Sequence, residues 1–493
     1  MFGLRLGKLG AAIKAGTGSA GGVTPLFSRD FALGTLGASP TFARSGAAYY
    51  NDYNGDLQSV TTDTAAFEGS GGDSTSTTGY TAIVYGDSLA TDSDEYGGNV
   101  QDYIPVDWTL TRKGVNAYRL DQIKALFDSE YPQSQDVVIL QGGVNDLGQA
   151  VSDPNASMQS DMAAMVADVI SNGKQPIIVN VAPWRGNGAW TADKQTWTET
   201  YNRWLITTYP EYVVDAYHIL EDPDNLQYLL PVYDSGDYTH LTVAGSESVD
   251  AGIATKLSRS KASLWHASSR TNIVPSDPAD AYWTKVQLSY STGKLSEVVS
   301  GSTKAIYNTI AASGQHTLVA KIRPQERCQI ILQVDNISAL GVRFGLYGAG
   351  VALPDTGYTN YGIRALRNGY YIVWITTPSA LQAPALYVLS ELKGTTAYTG
   401  VLGYGVDLEY IELFAATGEQ PPVPNATTST TRAADSLSYS GAWTADNETR
   451  AVVDAGNVDV DDWDGVVDAT LLGADNSGLV ESITVYTTGE RPA

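Results

Sequence analysis

An α/β domain built on a parallel sheet, followed by an all-β sandwich, is the fold this sequence predicts, and three observations predict it. From about Tyr80 to Ala262, apolar runs of strand length alternate with stretches of helical period, the pattern of a parallel sheet with helices on its faces. After Arg270 the helical periodicity stops, and short β-favouring runs separated by turn residues take over. Gly69–Gly79, almost all Gly, Ser, Thr and Asp, reads as a flexible linker that sets the α/β part off from what precedes it.

Length and charge narrow the classes of function. The chain has 493 residues and a formal net charge of −24. That length allows several domains and large cores, so no metal or disulfide staple is needed. One cysteine, Cys328, excludes an intramolecular disulfide and a cysteine-rich zinc site, and neither a metal nor a cofactor is expected. An acidic chain is opposed to the basic stripe that nucleic acids require. No stretch approaches the ~18 apolar residues of a membrane span. Met1–Gly22 scatters Arg5, Lys8 and Lys14 among Leu4, Leu6, Leu9 and Ile13, without the apolar core of a signal peptide. It reads either as a frayed tail or as a helix that folds on a partner.

The elements follow in order. Between Arg29 and Phe67, Asn54-Gly55 lies between a tyrosine-bearing segment and an alternating one, which predicts a hairpin. Strands are expected at Thr81–Tyr85, Trp108–Arg112, Val137–Gln141, Pro176–Ala182 and Tyr212–Ala216, and helices near Tyr118–Phe127, Met158–Ser171, Asp193–Thr207 and Val243–Leu257. In the sandwich the candidate strands are Ala281–Lys285, His316–Ile322, Gln329–Val334, Val342–Tyr347, Tyr370–Thr376 and Val406–Phe414. The boundaries are then 1–75 for an N-terminal segment with its linker, 76–265 for the α/β domain, 270–436 for the sandwich and 437–493 for a small acidic end. In that end, Asp459–Gly465 is rich in aspartate but misses the EF-hand spacing and reads as a solvated turn.

The chemistry centres on Gly86-Asp87-Ser88-Leu89. The strand Ile83-Val84-Tyr85 delivers Ser88 at its C-terminal end, where open α/β sheets place their ligand sites. A serine hydroxyl needs a base, and histidine has the right basicity near neutrality. Of the four histidines, His218 ends a strand, His266 lies in a linker and His316 in the sandwich; His240 alone sits in a loop entering the last helix of the α/β domain. Asp237, three residues earlier, can reach the imidazole and fix its tautomer. The bland alternative is that Asp237 and His240 cap the following helix, a task that Thr242 can perform.

Four blocks stand in order: Gly86-Asp87-Ser88-Leu89, Gly114 within Arg112–Asn116, Gly143-Val144-Asn145-Asp146 after an apolar run, and Asp237-Tyr238-Thr239-His240. Together they resemble the SGNH (GDSL) hydrolase family. The resemblance implies a flavodoxin-like three-layer fold and a serine esterase with Ser88, Asp237 and His240 as catalytic residues. It also implies an oxyanion hole made by the backbone N–H groups of Ser88 and Gly114 and the side-chain amide of Asn145. A second glycine, common in the family shortly after the first, is replaced here by Ala117 and Tyr118, which alters the expected pocket wall. Trp184 and Trp190 flank the loop Arg185–Ala189 and are candidates to stack on sugar, whereas Trp197 and Trp204 stand at helical spacing and read as core.

Ser39-Pro40-Thr41-Phe42-Ala43-Arg44, Ala48–Asp52 and Asn54–Gln58 resemble a segment of tailed-phage and prophage structural proteins, and the β part, jelly roll or sandwich, resembles carbohydrate-binding-like modules of phage tail proteins through Arg367–Tyr371, Pro421–Pro424 and Thr431–Leu437. That implies a fibre or spike on a virion or phage-like particle, held through its N-terminus by other particle proteins. The expected partner is an acylated cell-surface polysaccharide, with no nucleic acid and no membrane. A homo-oligomer, a trimer by preference, is expected. The competing readings are a non-catalytic adhesin on an esterase scaffold and a free carbohydrate esterase.

Overall fold

The computed structural model describes residues 81–91, 109–131, 134–257, 270–299, 301–334, 341–354, 358, 360–377, 381–390, 396–418 and 423, together with short strands before residue 61 and after residue 429. The expectations for Met1–Gly22 and the linker Gly69–Gly79 lie outside these residues; of the expected turn Asp459–Gly465, the first three residues instead end the strand Asn457–Asp461, paired antiparallel with Arg450–Asp454, and the rest lies outside the described residues. Two compact units emerge: residues 74–259 with 274–420, and residues 1–73 with 260–273 and 421–493.

In the first unit, β1 (Thr81–Gly86), β2 (Thr109–Gly114), β3 (Val137–Gln141), β4 (Gln175–Val179) and β5 (Val213–Val214) form a wholly parallel sheet in the order β2-β1-β3-β4-β5. This is the flavodoxin-like order. The strands are apolar on both faces because helices cover both: Val137, Val138, Ile139 and Leu140 are each at most 3% exposed. Each such side chain contributes ~1.5–3 kcal/mol by leaving water.

The helices are α1 (Leu120–Glu130), α2 (Val144–Gln149), α3 (Asn155–Ser171), α4 (Ala192–Thr208), α5 (Ala216–Leu220) and α6 (Val243–Leu257). One face of the sheet packs Ile83, Tyr85, Val138 and Leu140 with Leu120, Ile123 and Phe127 of α1, Met158, Met162 and Met165 of α3, and Tyr201 and Leu205 of α4. The other packs Ala82, Val84, Ile139 and Ile177 with Leu220 of α5 and Val249 and Ile253 of α6. The four long helices and five strands lie where the sequence pattern puts them, with shifts at the ends. β4 stops at Val179, where buried Asn180 turns its side chain to Asp215 and the backbone N–H of Tyr217. The short helices α2 and α5 replace expected loop and strand end, being too brief to show a period.

The sandwich has two antiparallel sheets. One runs β7 (Leu288–Ser291), β8 (Lys294–Glu297), β17 (Gly405–Phe414), β10 (Thr317–Pro324), β15 (Tyr371–Thr376), β14 (Tyr361–Ala365). The other runs β6 (Thr284–Val286), β9 (Ala305–Tyr307), β16 (Ala385–Leu389), β11 (Gln329–Gln333), β12 (Val342–Gly345), β13 (Val351–Pro354). Leu318, Ala320 and Ile322 of β10, Ile330 and Leu332 of β11 and Val373 of β15 are fully buried. The α/β domain and the sandwich belong to the same compact unit. Arg203 of α4 lies over the ring of Tyr404, with 4.9 Å to its centroid, and the His218 ring stacks on Tyr347.

The second unit holds the expected hairpin, Ala48–Asn51 paired antiparallel with Leu57–Val60. It also joins the two ends of the chain. Phe27–Asp30 pairs with Leu479–Val485, and Thr41–Ala43 with Ser436–Ser438.

Candidate active site

The sheet order reverses between β1 and β3, and the C-terminal ends of those strands with that of β2 form the crevice where open α/β sheets place their chemistry. β1 and β2 are in register from Thr81↔Thr109 to Gly86↔Gly114. The chain then turns through Asp87 into a single 3-10 turn, Ser88–Ala90, with Asp87 Oδ1 accepting from the Leu89 N–H at 3.0 Å. Gly114 is pressed against that turn: a Cβ there would lie 2.3 Å from the Ala90 carbonyl carbon. Only glycine allows this approach.

Ser88 Oγ lies 3.0 Å from His240 Nε2, and His240 Nδ1 lies 2.5 Å from Asp237 Oδ2. The structure therefore brings these three side chains into one line from residues 152 positions apart. Ser88 is 8% exposed, the His240 side chain 20% and the Asp237 side chain 51%. Asp237 Oδ1 also accepts from the backbone N–H groups of Thr239 and His240 at 2.9 and 2.8 Å. Partial burial pushes the Asp237 carboxyl up, but these donors and the His240 ring outweigh it and hold the group below the usual carboxylate range. Thr242 caps α6, accepting from the Gly245 N–H at 3.2 Å, the task that the bland reading had given to Asp237 and His240.

Asn145 sits in the first turn of α2, behind Gly143, whose φ of +117° suits glycine. Its Nδ2 donates to the Tyr118 carbonyl at 3.0 Å, which fixes the amide plane and leaves its second hydrogen for another acceptor. Ala117, where the family often has glycine, takes a left-handed φ of 63°, a conformation costing an alanine ~1–2 kcal/mol.

Trp184 is corrected. It is 2% exposed, packed in the core, with its indole N–H donating to Thr198 Oγ1 at 3.0 Å, so it offers no surface for stacking a sugar. Trp190 is partly exposed; the Arg185 guanidinium lies 5.1 Å from its ring centroid and its N–H donates to Gln195. Trp197 and Trp204 pack against the core from its margin.

Three residues at the site escaped the sequence reading. Asp146 Oδ2 accepts from the Leu120 N–H at 2.9 Å and so ties the loop after β2 to the loop after β3; burial pushes its carboxyl up to about 6. Asn187 Nδ2 donates to Thr239 Oγ1 at 2.9 Å, bracing the loop that carries His240. Asp87, fully buried, has its carboxyl pushed up to about 6 by burial. Asp87 and Asp146 each adjoin a residue the motifs had singled out, which was the available signal.

Residues 72–247 match the GDSL-like Lipase/Acylhydrolase family. No curated protein matches the chain. Among solved structures, a protein described as lipolytic, of the G-D-S-L family, from Desulfitobacterium hafniense DCB-2 is similar at 20% identity, over 35% of this chain and 97% of that one, with a TM-score of 0.30. A catalytic mutant of Axe2, an acetylxylan esterase from Geobacillus stearothermophilus, is similar at 16% identity, over 35% of this chain and 91% of that one, with a TM-score of 0.29. Residues 72–247 thus form a GDSL-type acylhydrolase domain, and the protein that carries it is a carboxylic ester hydrolase.

Proposed function

We propose that this chain is a serine esterase that removes acetyl groups from a cell-surface polysaccharide while mounted on a phage or phage-like particle. The observation that carries the chemistry is the contact of Ser88 Oγ with His240 Nε2 at 3.0 Å. In the reaction His240 accepts the Ser88 proton as Oγ attacks the ester carbonyl carbon. Negative charge gathers on the carbonyl oxygen, where the N–H groups of Ser88 and Gly114 and the Asn145 amide donate to it. The imidazolium then protonates the departing sugar oxygen, and a water activated by the same imidazole cleaves the acyl-serine.

The particle setting rests on the wording of the segments flanking the hydrolase blocks; attachment through the N-terminus and a trimeric assembly belong to the same proposal.

The test is treatment of acetylated surface polysaccharide, followed by proton NMR and size analysis. Free acetate without shortening, made by the wild type and not by Ser88→Ala, is expected. A shortened polymer with its acetyl signals intact would indicate a glycanase, which needs a facing carboxylate pair. No change in either, across a broad substrate panel, would favour an adhesin. Deleting residues 1–70 should spare the esterase and abolish co-purification with particles, and solution mass reports the oligomer.

A further inference from the structure

Away from the serine, a second set of chemically capable side chains lines a larger space. Within the first compact unit a cavity of about 350 Å³ is walled by residues of the α/β domain, among them Tyr217, His218 and Glu221, and of the sandwich, among them Arg327, Cys328 and Tyr347. Asp215, His218 and Cys328 each offer one ligand atom there, and the three atoms lie within 4.8 Å of one another. Asp215 and Cys328 are 6% and 4% exposed. His218 keeps 27% of its side chain accessible and lines the cavity.

The cluster is held firmly. Asp215 Oδ2 is 2.6 Å from His218 Nδ1, and Asp215 Oδ1 accepts from Asn180 Nδ2 at 2.9 Å. The ring of Tyr347 stacks on the imidazole, 5.7 Å between centroids at 25°. Carboxylate, imidazole and thiol converging beside an open space form a mixed oxygen, nitrogen and sulfur donor set, which suits borderline-soft divalent ions.

We propose that Asp215, His218 and Cys328 form a binding site for a divalent cation of the zinc class, with the fourth position open to the cavity. Two donors at ~2.0–2.1 Å from a tetrahedral ion are about 3.3 Å apart, so the 2.6 Å contact of Asp215 with His218 opens by ~0.7 Å to admit the ion. Entry of the ion forms bonds to the sulfur, one ring nitrogen and one carboxylate oxygen. The thiol proton is displaced to solvent and the coordinating ring nitrogen binds through its lone pair, so thiolate and carboxylate together balance the dipositive charge.

Cobalt(II) alone, added to the full-length apo protein after chelation, tests the proposal. Cys328 is the chain's one cysteine, so a thiolate-to-cobalt charge-transfer band reports this site and no other. Stoichiometric binding with that band and strong visible bands of a tetrahedral site is expected, reversed by zinc(II), with release of the thiol proton. Cys328→Ser should remove the charge-transfer band, and Asp215→Asn should weaken binding roughly 10–100-fold or more. Wild type that shows no thiolate band at saturating cobalt, or Cys328→Ser that keeps the full spectrum, overturns the assignment. The wild-type spectrum decides the matter even if both variants fail to fold, and it is independent of esterase activity.

Discussion

The chain contains two Asp-x-x-His pairs with nearly the same local geometry, Asp237–His240 and Asp215–His218, and they differ in what surrounds them. In both, the carboxylate Oδ2 meets the imidazole Nδ1, at 2.5 and 2.6 Å. The first stands in a loop at the carboxyl ends of the strands with half its carboxylate exposed, and its ring reaches a serine hydroxyl. The second begins helix α5 with its carboxylate 8% exposed, and its ring meets a thiol and the face of Tyr347. The lesson is that a motif this short specifies a paired imidazole and nothing more. The third residue and the exposure decide whether the pair moves protons for a nucleophile or holds a buried cluster.

The largest expected effect lies at the exposed pair. Ser88→Ala and His240→Ala should each lower kcat for a small acyl ester by roughly 10⁴–10⁶-fold, since members of such a unit fail together, while the melting temperature stays near that of wild type. Asp237→Asn should cost less, about 10²–10⁴-fold, because a half-exposed carboxylate is partly screened by water and its backbone donors persist. Single-turnover kinetics separate the acylation step from release. Wild-type rates in Ser88→Ala would remove the serine mechanism altogether.

Much of this site was legible in the sequence because strand, turn and motif are local. Val137–Gln141 and Val243–Leu257 are recovered to the residue, the first because a continuous apolar run carries its own boundaries. Ser88, Gly114, Asn145, Asp237 and His240 stand in blocks whose order is itself informative. What was not legible depends on contacts distant in sequence. Trp184 points into the core rather than the cleft because Thr198, fourteen residues on, takes its indole hydrogen. His218 read as the end of a strand because its cysteine partner lies 110 positions away in a different fold layer; the repeated Asp-x-x-His spacing was the one available sign. The pairing of Phe27–Asp30 with Leu479–Val485 has no local signature at all.

The buried pair should show its effect in stability. Asp215→Ala removes the partner of His218 and the acceptor of Asn180, and breaking a buried pair costs ~3–5 kcal/mol; Asp237→Ala, with its exposed carboxylate, should cost ~0–1 kcal/mol. Burial pushes the Asp215 carboxyl up, but the His218 charge and the hydrogen bonds of His218 and Asn180 hold it below its usual range. A depressed carboxyl stabilises the fold above its unfolded pKa and loses that contribution as pH falls through the folded value. The stability gap between wild type and Asp215→Ala should therefore narrow on strong acidification, which denaturant melts across acidic pH would measure. Equal destabilisation by Asp215→Ala and Asp237→Ala would break the comparison.

The smallest effect concerns a third carboxyl, which lies beneath the exposed pair. Asp87 is fully buried beside Ser88, and its Oδ2 has no hydrogen-bond partner among the described residues. Burial pushes this carboxyl up to about 6, against the Leu89 N–H and the His240 charge. A raised acid keeps its proton in the folded state over a range where the unfolded chain has lost it. Stability then falls as pH rises from the ordinary carboxylate range through about 6 and stays reduced above it. At about 1.4 kcal/mol per pKa unit, the cost near neutrality is on the order of 1–3 kcal/mol. Asparagine has the same shape and no charge to bury, so Asp87→Asn should melt higher than wild type at mildly alkaline pH. At acidic pH, where the wild-type carboxyl is already protonated, the advantage should vanish. A melting difference that does not change with pH would mean that Asp87 does not titrate in the folded protein, and that the serine turn tolerates a buried carboxylate by some other means.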